Sequence, residues 1–291
     1  MSSLYSYSGI VEALFPIRWI GALTFREALR RRLVLAAFGL GAAFLALFGL
    51  ALFLIHRELA RFGPPDPRMR EEIASFFMLA ALYGANVLIV MAAVVGTADT
   101  IAGEIASGVI QAVAARPIAR WQILFGKGLG HALWLLLYVL WMAGGVIGIT
   151  ALITGWAPRG WGRGLALLGL EALIPLSLSL WAGTRFSTLA TGALGLGLYG
   201  VAFIGGWAEQ VGSLVGQATV VDLGILASLL MPAEALWRRA AYELQSPLAR
   251  LMGPNPFTAA TIPSDRMILY ALVYVVLLLA LAAYQFERRD L

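Results

Sequence analysis

The chain contains no cysteine, and its 291 residues include only two histidines. Without cysteine it can form neither a disulfide framework nor a thiolate metal site. Charge is also scarce. Charged residues make up 13% of the chain and hydrophobic residues 60%, whereas a typical globular domain is about 25% charged. A soluble core of this size cannot bury so much apolar surface, so the composition predicts a protein that has lipid as its solvent.

A phosphate-binding loop of the form G-x-x-x-x-G-K-[ST] is absent as well. The nearest candidate, Gly126–Gly128, has Trp121 in the place of the first glycine and no hydroxyl residue after Lys127. The run Gly195–Gly200 has the spacing G-x-G-x-x-G, but no predicted strand precedes it and it lies within a predicted membrane span. We therefore expect this chain itself to bind no nucleotide, metal or other cofactor.

Six apolar runs are long enough to cross a hydrocarbon core of ~30 Å, which takes a helix of about 20 residues. The predicted spans are 33–55, 73–98, 129–153, 165–184, 188–208 and 267–286. These runs predict an all-α integral membrane protein with a single domain over 1–291. An even number of spans places both termini on the same side of the membrane.

The basic residues indicate which side that is. Arg26 and the run Arg30–Arg32 directly precede the first span, and positive charge there favours a cytoplasmic N-terminus in the inner membrane. Over the whole chain, Lys and Arg divide eleven inside to ten outside, so the orientation depends on this first cluster. The net charge of +5 suits anionic lipid headgroups. The basic residues form no continuous stripe, so nucleic-acid binding is not expected.

The residues before the first span predict a helix of their own over 10–32. Apolar residues alternate there with Arg18 and Glu27, and Trp19 is typical of a membrane interface. This mixture favours a helix lying in the headgroup plane. The alternative is a simple extension of the first span.

The segment 209–265 is predicted to lie on the outer face. Its part 217–237 is apolar enough for a seventh span but contains Asp222, Pro232 and Glu234. We interpret it as re-entrant or interfacial helices, which are tolerated where protein covers the backbone. A seventh span is the alternative.

The segment 99–128 joins the second and third spans on the predicted cytoplasmic side. Ile101, Ile105 and Val109 recur at helical spacing, and Pro117 ends that helix before a new one leads into the third span. Its charged residues, available for ion pairs, are Glu104, Arg116, Arg120 and Lys127. An ordinary polar loop is the alternative, but it does not explain the short apolar helix.

This segment resembles the corresponding one in type-2 ABC exporter permeases. The stretch 98–130, "ADTIAGEIASGVIQAVAARPIARWQILFGKGLG", matches their pattern at Glu104, Gly108, Arg116, Pro117, Arg120, Gly126 and Lys127. It departs at Val109, where threonine is usual. The stretch 23–36, "LTFREALRRRLVLA", is similar to their elbow helix and first span, and the C-terminal "FERRDL" is similar to their short basic end.

The resemblance implies a permease subunit with an N-terminal elbow helix and a cytoplasmic coupling helix near 103–115. That helix would dock in a groove of a separate ABC ATP-binding subunit, which carries ATP and Mg²⁺. The resemblance implies the following residues for coupling to that subunit: Glu104, Gly108, Val109, Arg116, Pro117, Arg120 and Lys127. It also implies a dimer with a second permease copy or a paralogue. The fifth span would contribute the small residues of that interface, Gly192, Gly195, Gly197 and Gly200.

Polar residues within the spans are few. Glu171 faces protein, water or a partner, as a substrate-path or proton-relay group, or else reaches up to the outer interface. Asn86 and His131 are expected to make interhelical hydrogen bonds. Two other functions are weighed against the exporter: an intramembrane enzyme such as a glutamic-type protease, and a secondary transporter. The sequence has no acid–His pair at helical spacing inside the bilayer, which the enzyme would need. It also has no internal symmetry, which is typical of a secondary transporter.

Overall fold

The computed structural model describes residues 3–61, 66–109, 118–247, 249 and 261–289. This part of the chain is all helical. Its helices are α1 Ser3–Arg30, α2 Arg32–Arg61, α3 Pro67–Thr97, α4 Ala102–Ala106, α5 Arg120–Thr154, α6 Trp161–Gly183, α7 Thr188–Val215, α8 Ala218–Leu230, α9 Ala233–Leu244 and α10 Asp265–Glu287.

Six helices are long and apolar enough to cross a membrane: α2, α3, α5, α6, α7 and α10. The prediction of an all-α membrane protein with six transmembrane helices is therefore confirmed. The six apolar runs fall inside these helices or end one residue beyond them. Several helices extend further, because polar residues at helix ends continue the backbone ladder outside the hydrocarbon layer.

Helix α6 lies at the centre of the bundle. Of its most apolar stretch, 72% is buried inside the protein, against 17% for α2 and for α10. The side chains of Trp134 and Tyr138 on α5 and of Met78 and Leu82 on α3 fill the core around it. Helices α2 and α10 thus present most of their apolar surface outward, which is the arrangement expected where lipid replaces water.

Helix α1 is separate from α2, since Arg31 belongs to neither helix. It packs along the first half of α5 at very short range. A β-carbon built at Gly130 would lie 2.6 Å from Cβ of Thr24 and 2.7 Å from the carbonyl oxygen of Gly21. Glycine at 130 therefore permits the two backbones to approach. The position of α1 in the headgroup plane stays a prediction.

Helices α8 and α9 form a pair bent by 104°. The break falls at Met231 and Pro232, where the missing N–H of proline interrupts the helical ladder. Helix α8 returns along α7, and α9 is buried against α6, where Leu244 packs on Gly164. A straight seventh span is thereby excluded, and the bend has the geometry of re-entrant helices or of a broken span.

Candidate coupling site and buried polar residues

The coupling end of the bundle is defined here as the end where α3 finishes and α5 begins. After α3 the chain turns and forms the short helix α4, which Gly108 closes with a backbone φ of +73°. This left-handed conformation favours glycine, so the glycine in the sequence pattern has a local cause. Val109 follows with half of its side chain exposed. Arg116, Pro117 and residues 110–115 of the predicted helix 103–115 lie outside the described residues.

Glu104 and Lys127 bind each other within this chain, and their coupling to an ATP-binding subunit stays a prediction. The ammonium group of Lys127 on α5 forms an ion pair with Oε1 of Glu104 on α4. The two side chains are only 11% and 16% exposed, respectively. Because α4 folds back on α5, this ion pair is internal, and it connects the coupling end to the longest helix of the bundle.

Arg120 connects the coupling end to the C-terminal end of α10. Its guanidinium donates to the backbone carbonyl oxygens of Glu287, at 3.3 Å, and of Arg289. Arg289 in turn donates to the carbonyl oxygen of Thr184, just after α6. The basic C-terminal residues are thus braced against two helices at this end.

A second ionic connection at this end was not predicted from the sequence. Arg31, between α1 and α2, donates to both carboxylate oxygens of Asp99 at 2.8 and 2.7 Å, and to Glu27 at 2.8 Å. The hydrogen bond from Arg31 lowers the pKa of Glu27. Burial lowers the pKa of Arg31, but the two carboxylates outweigh that effect and raise it overall. The one sequence feature that could have indicated this ion pair is the acidic Asp99 directly after the second predicted span.

His131 lies one helical turn after Lys127 and is buried. Its Nδ1 is 3.1 Å from the carbonyl oxygen of Lys127, which can only accept, so Nδ1 donates. Its Nε2 lies 3.2 Å from Oγ1 of Thr100. His131 therefore connects α5 to the turn between α3 and α4, where Thr100 lies, and does not join two helices directly.

Glu171 sits in the middle of α6 and is fully buried, so it faces protein and does not reach toward the interface. Asn86 on α3 donates to its Oε1 at 3.0 Å. Among the described residues, its Oε2 and the Asn86 Oδ1 have no hydrogen-bond partner. A second buried acid, Glu234 on α9, is close enough to interact with it electrostatically. Sequence reasoning noted Glu234 only as a polar residue of the outer segment.

A buried ion pair joins α7 to α9 and was missed from the sequence. Arg238 donates to Glu209 at 2.8 Å, with the two side chains 3% and 10% exposed. Arg238 also donates to Thr261, which donates to the other oxygen of Glu209. Glu209 falls one residue beyond the fifth predicted span, which concealed its position inside the fold.

The four glycines predicted for dimer packing divide into two pairs. A β-carbon at Gly195 would lie 2.8 Å from Val94, and one at Gly192 would lie 3.7 Å from Ala98, so both face α3 or the turn after it. Positions 197 and 200 have no atom within 4 Å. Only Gly197 and Gly200 are therefore available on the outside of α7.

These features define a multi-pass helical membrane protein, with six apolar helices, a re-entrant or broken pair, and a short helix held against one end of the bundle. The chain belongs to the ABC-2 family, whose model, described as "ABC-2 family transporter protein", matches residues 18–291. A search of curated proteins gave no significant match. Permeases of this family work in general with separate ABC ATP-binding subunits. The resemblance drawn from 98–130 is thus confirmed.

Proposed function

We propose that this chain is the membrane subunit of an ABC exporter, driven by ATP hydrolysis on a separate subunit that docks at the coupling end. ATP and Mg²⁺ bind on that partner, consistent with the missing phosphate loop in this sequence. The arginines before α2 support an inner-membrane location with both termini and the coupling end cytoplasmic.

The bracing of the coupling end carries this proposal. Glu104 and Lys127 hold α4 on α5, and Arg31 holds Asp99 at the junction of α1 and α2. A force applied to α4 is therefore transmitted into two transmembrane helices and does not simply bend a loop. Val109, exposed beside this braced helix, provides an apolar contact for a groove on the ATP-binding subunit.

The first experiment purifies the chain with its candidate ATP-binding subunit in lipid and measures co-purification and ATP hydrolysis. Val109→Asp places a charge in the proposed contact and should abolish binding while the permease still folds. Met69→Asp, at the exposed start of α3 far from the coupling end, is the matched control and should bind normally. Equal binding by both variants would rule out docking at Val109.

A charge exchange separates docking from internal bracing. Glu104→Lys alone leaves two cations together at 104 and 127, so it should uncouple ATP hydrolysis. The double variant Glu104→Lys with Lys127→Glu restores an internal pair. Recovery of coupling in the double variant supports bracing, whereas persistent loss indicates that the partner reads the charge of Glu104 directly.

We also propose that two permease copies, or this chain and a paralogue, meet along the outer face of α7. Gly197 and Gly200 leave room there for close helix approach, and Leu189 and Ile204 on the same helix are strongly exposed. The remaining apolar outer surface contacts membrane lipid.

A further inference from the structure

The interior of the bundle contains a carboxyl group that the proposed coupling mechanism does not use. Glu171 is 0% exposed and lies near the middle of the central helix α6. One of its oxygens accepts from the Asn86 amide, and the other has no partner in the part of the chain that the structure describes. Oδ1 of Asn86 is likewise unpartnered and buried.

The groups facing Glu171 come from three neighbouring helices. Asn86 lies on α3, Tyr199 on α7 and Glu234 on α9, and both tyrosine and acid interact with Glu171 electrostatically. The cation that interacts with Glu234 is Arg238, which is already bound to Glu209. Among the described residues, no cation forms an ion pair with Glu171. An ionised carboxylate there would be unpaired, largely dehydrated and repelled by a second acid.

A bound proton removes the unpaired charge from Glu171. The unpartnered Glu171 Oε2 and Asn86 Oδ1 are both acceptors, and a protonated carboxyl supplies one O–H donor to this acceptor-rich pair. A metal ion fits less well, since no group of three or more acidic, histidine or cysteine side chains is assembled in the described residues. We propose that Glu171 is a proton-binding site, whose carboxyl carries a proton while α3, α6 and α9 are packed together.

The backbone hydrogen-bond ladder of α6 is interrupted at the same residue. Pro175 lies four positions after Glu171 within α6 and has no N–H, so the carbonyl of Glu171 lacks its helical donor. Helices bend preferentially at such a point. A bend that parts α6 from α3 would admit water to the carboxyl and release its proton. This release step rests on the proposed transport function, whereas the proton site itself does not.

The test is infrared spectroscopy of the purified chain in lipid vesicles at neutral pH. The wild type should show the carbonyl-stretch band of a protonated carboxyl group, which shifts in D₂O. Glu171→Gln, which has nearly the same shape as the protonated side chain, should lose that band. Glu58→Gln, at an exposed glutamate, should keep it. Identical spectra for the wild type and Glu171→Gln in this region would overturn the proposal.

Two further variants secure the assignment. Glu234→Gln should keep the Glu171 band. Loss of the band in this variant would assign the protonated carboxyl to Glu234 and refute the proposed site. Asn86→Ala should shift the band, because it removes the hydrogen bond to the carboxyl. This second measurement keeps the proposal testable even if Glu171→Gln fails to fold.

The release step is tested in the complex with the ATP-binding subunit. The pH profile of ATP hydrolysis should differ between the wild type and Glu171→Gln, and should match the wild type in Glu58→Gln. Superimposable profiles would refute proton release during the cycle. If the chain shows the band but binds no ATP-binding subunit, the proton site stands and the proposed transport function fails.

Discussion

The buried ion pair between Arg238 on α9 and Glu209 on α7 should contribute strongly to the stability of the packing between the bent pair α8–α9 and α7. The two side chains are nearly inaccessible, and Arg238 also donates to Ser228 at 3.3 Å and to Thr261 at 3.0 Å. Truncating one member leaves an uncompensated charge inside the protein, which typically costs about 3–5 kcal/mol. We expect Glu209→Ala and Arg238→Ala each to lower the free energy of unfolding by about that amount.

The assay is equilibrium unfolding in mixed micelles, followed by tryptophan fluorescence. The double variant Glu209→Leu with Arg238→Met should lie much closer to the wild type than the sum of the single effects, because no charge is left unpaired. Arg61→Ala, which removes an exposed bridge to Glu58, is the control and should cost less than about 1 kcal/mol. Single variants that match this control, or effects that simply add, would refute the argument.

Three other predictions follow from the packing and the charges. Gly130→Ala forces a methyl group into α1 and should destabilise the bundle by about 1–3 kcal/mol, whereas Gly148→Ala on the same helix meets no atom within 4 Å and should be neutral or slightly stabilising. Unfolding of both variants under identical conditions checks this contrast. Glu27→Gln should be less stable than the wild type at neutral pH. Because the pKa of Glu27 is lowered in the folded protein, its carboxylate stabilises the fold at pH values above its ordinary pKa of 4.5. The difference in stability between the two proteins should vanish as the pH falls through the lowered pKa. Similar stability of the two at neutral pH would contradict it. Gly200→Leu should weaken association of two permease copies without unfolding the monomer, while Gly195→Leu should disturb the monomer itself, as measured by cross-linking and by unfolding in parallel.

Several features could be predicted from the sequence because their causes are local. The length of each apolar run is compared with one fixed quantity, the bilayer thickness, so the six spans follow without knowledge of any contact. Gly108 closes α4 because the turn needs a left-handed backbone, and Pro232 marks the break between α8 and α9 because it lacks an N–H. Local chemistry was also sufficient to match the family pattern over 98–130.

The partners of the charged and small residues were decided only by the tertiary structure. Whether Lys127 meets Glu104 or a partner protein depends on how α4 folds back on α5, and the apolar pattern does not encode that angle. Gly195 packs inward and Gly200 outward because of the rotation of α7 about its own axis. Glu171 is fully buried because α3, α7 and α9 converge on α6 from distant parts of the chain. Run length is set by the membrane, whereas these pairings are set by packing between helices, which only the assembled bundle defines.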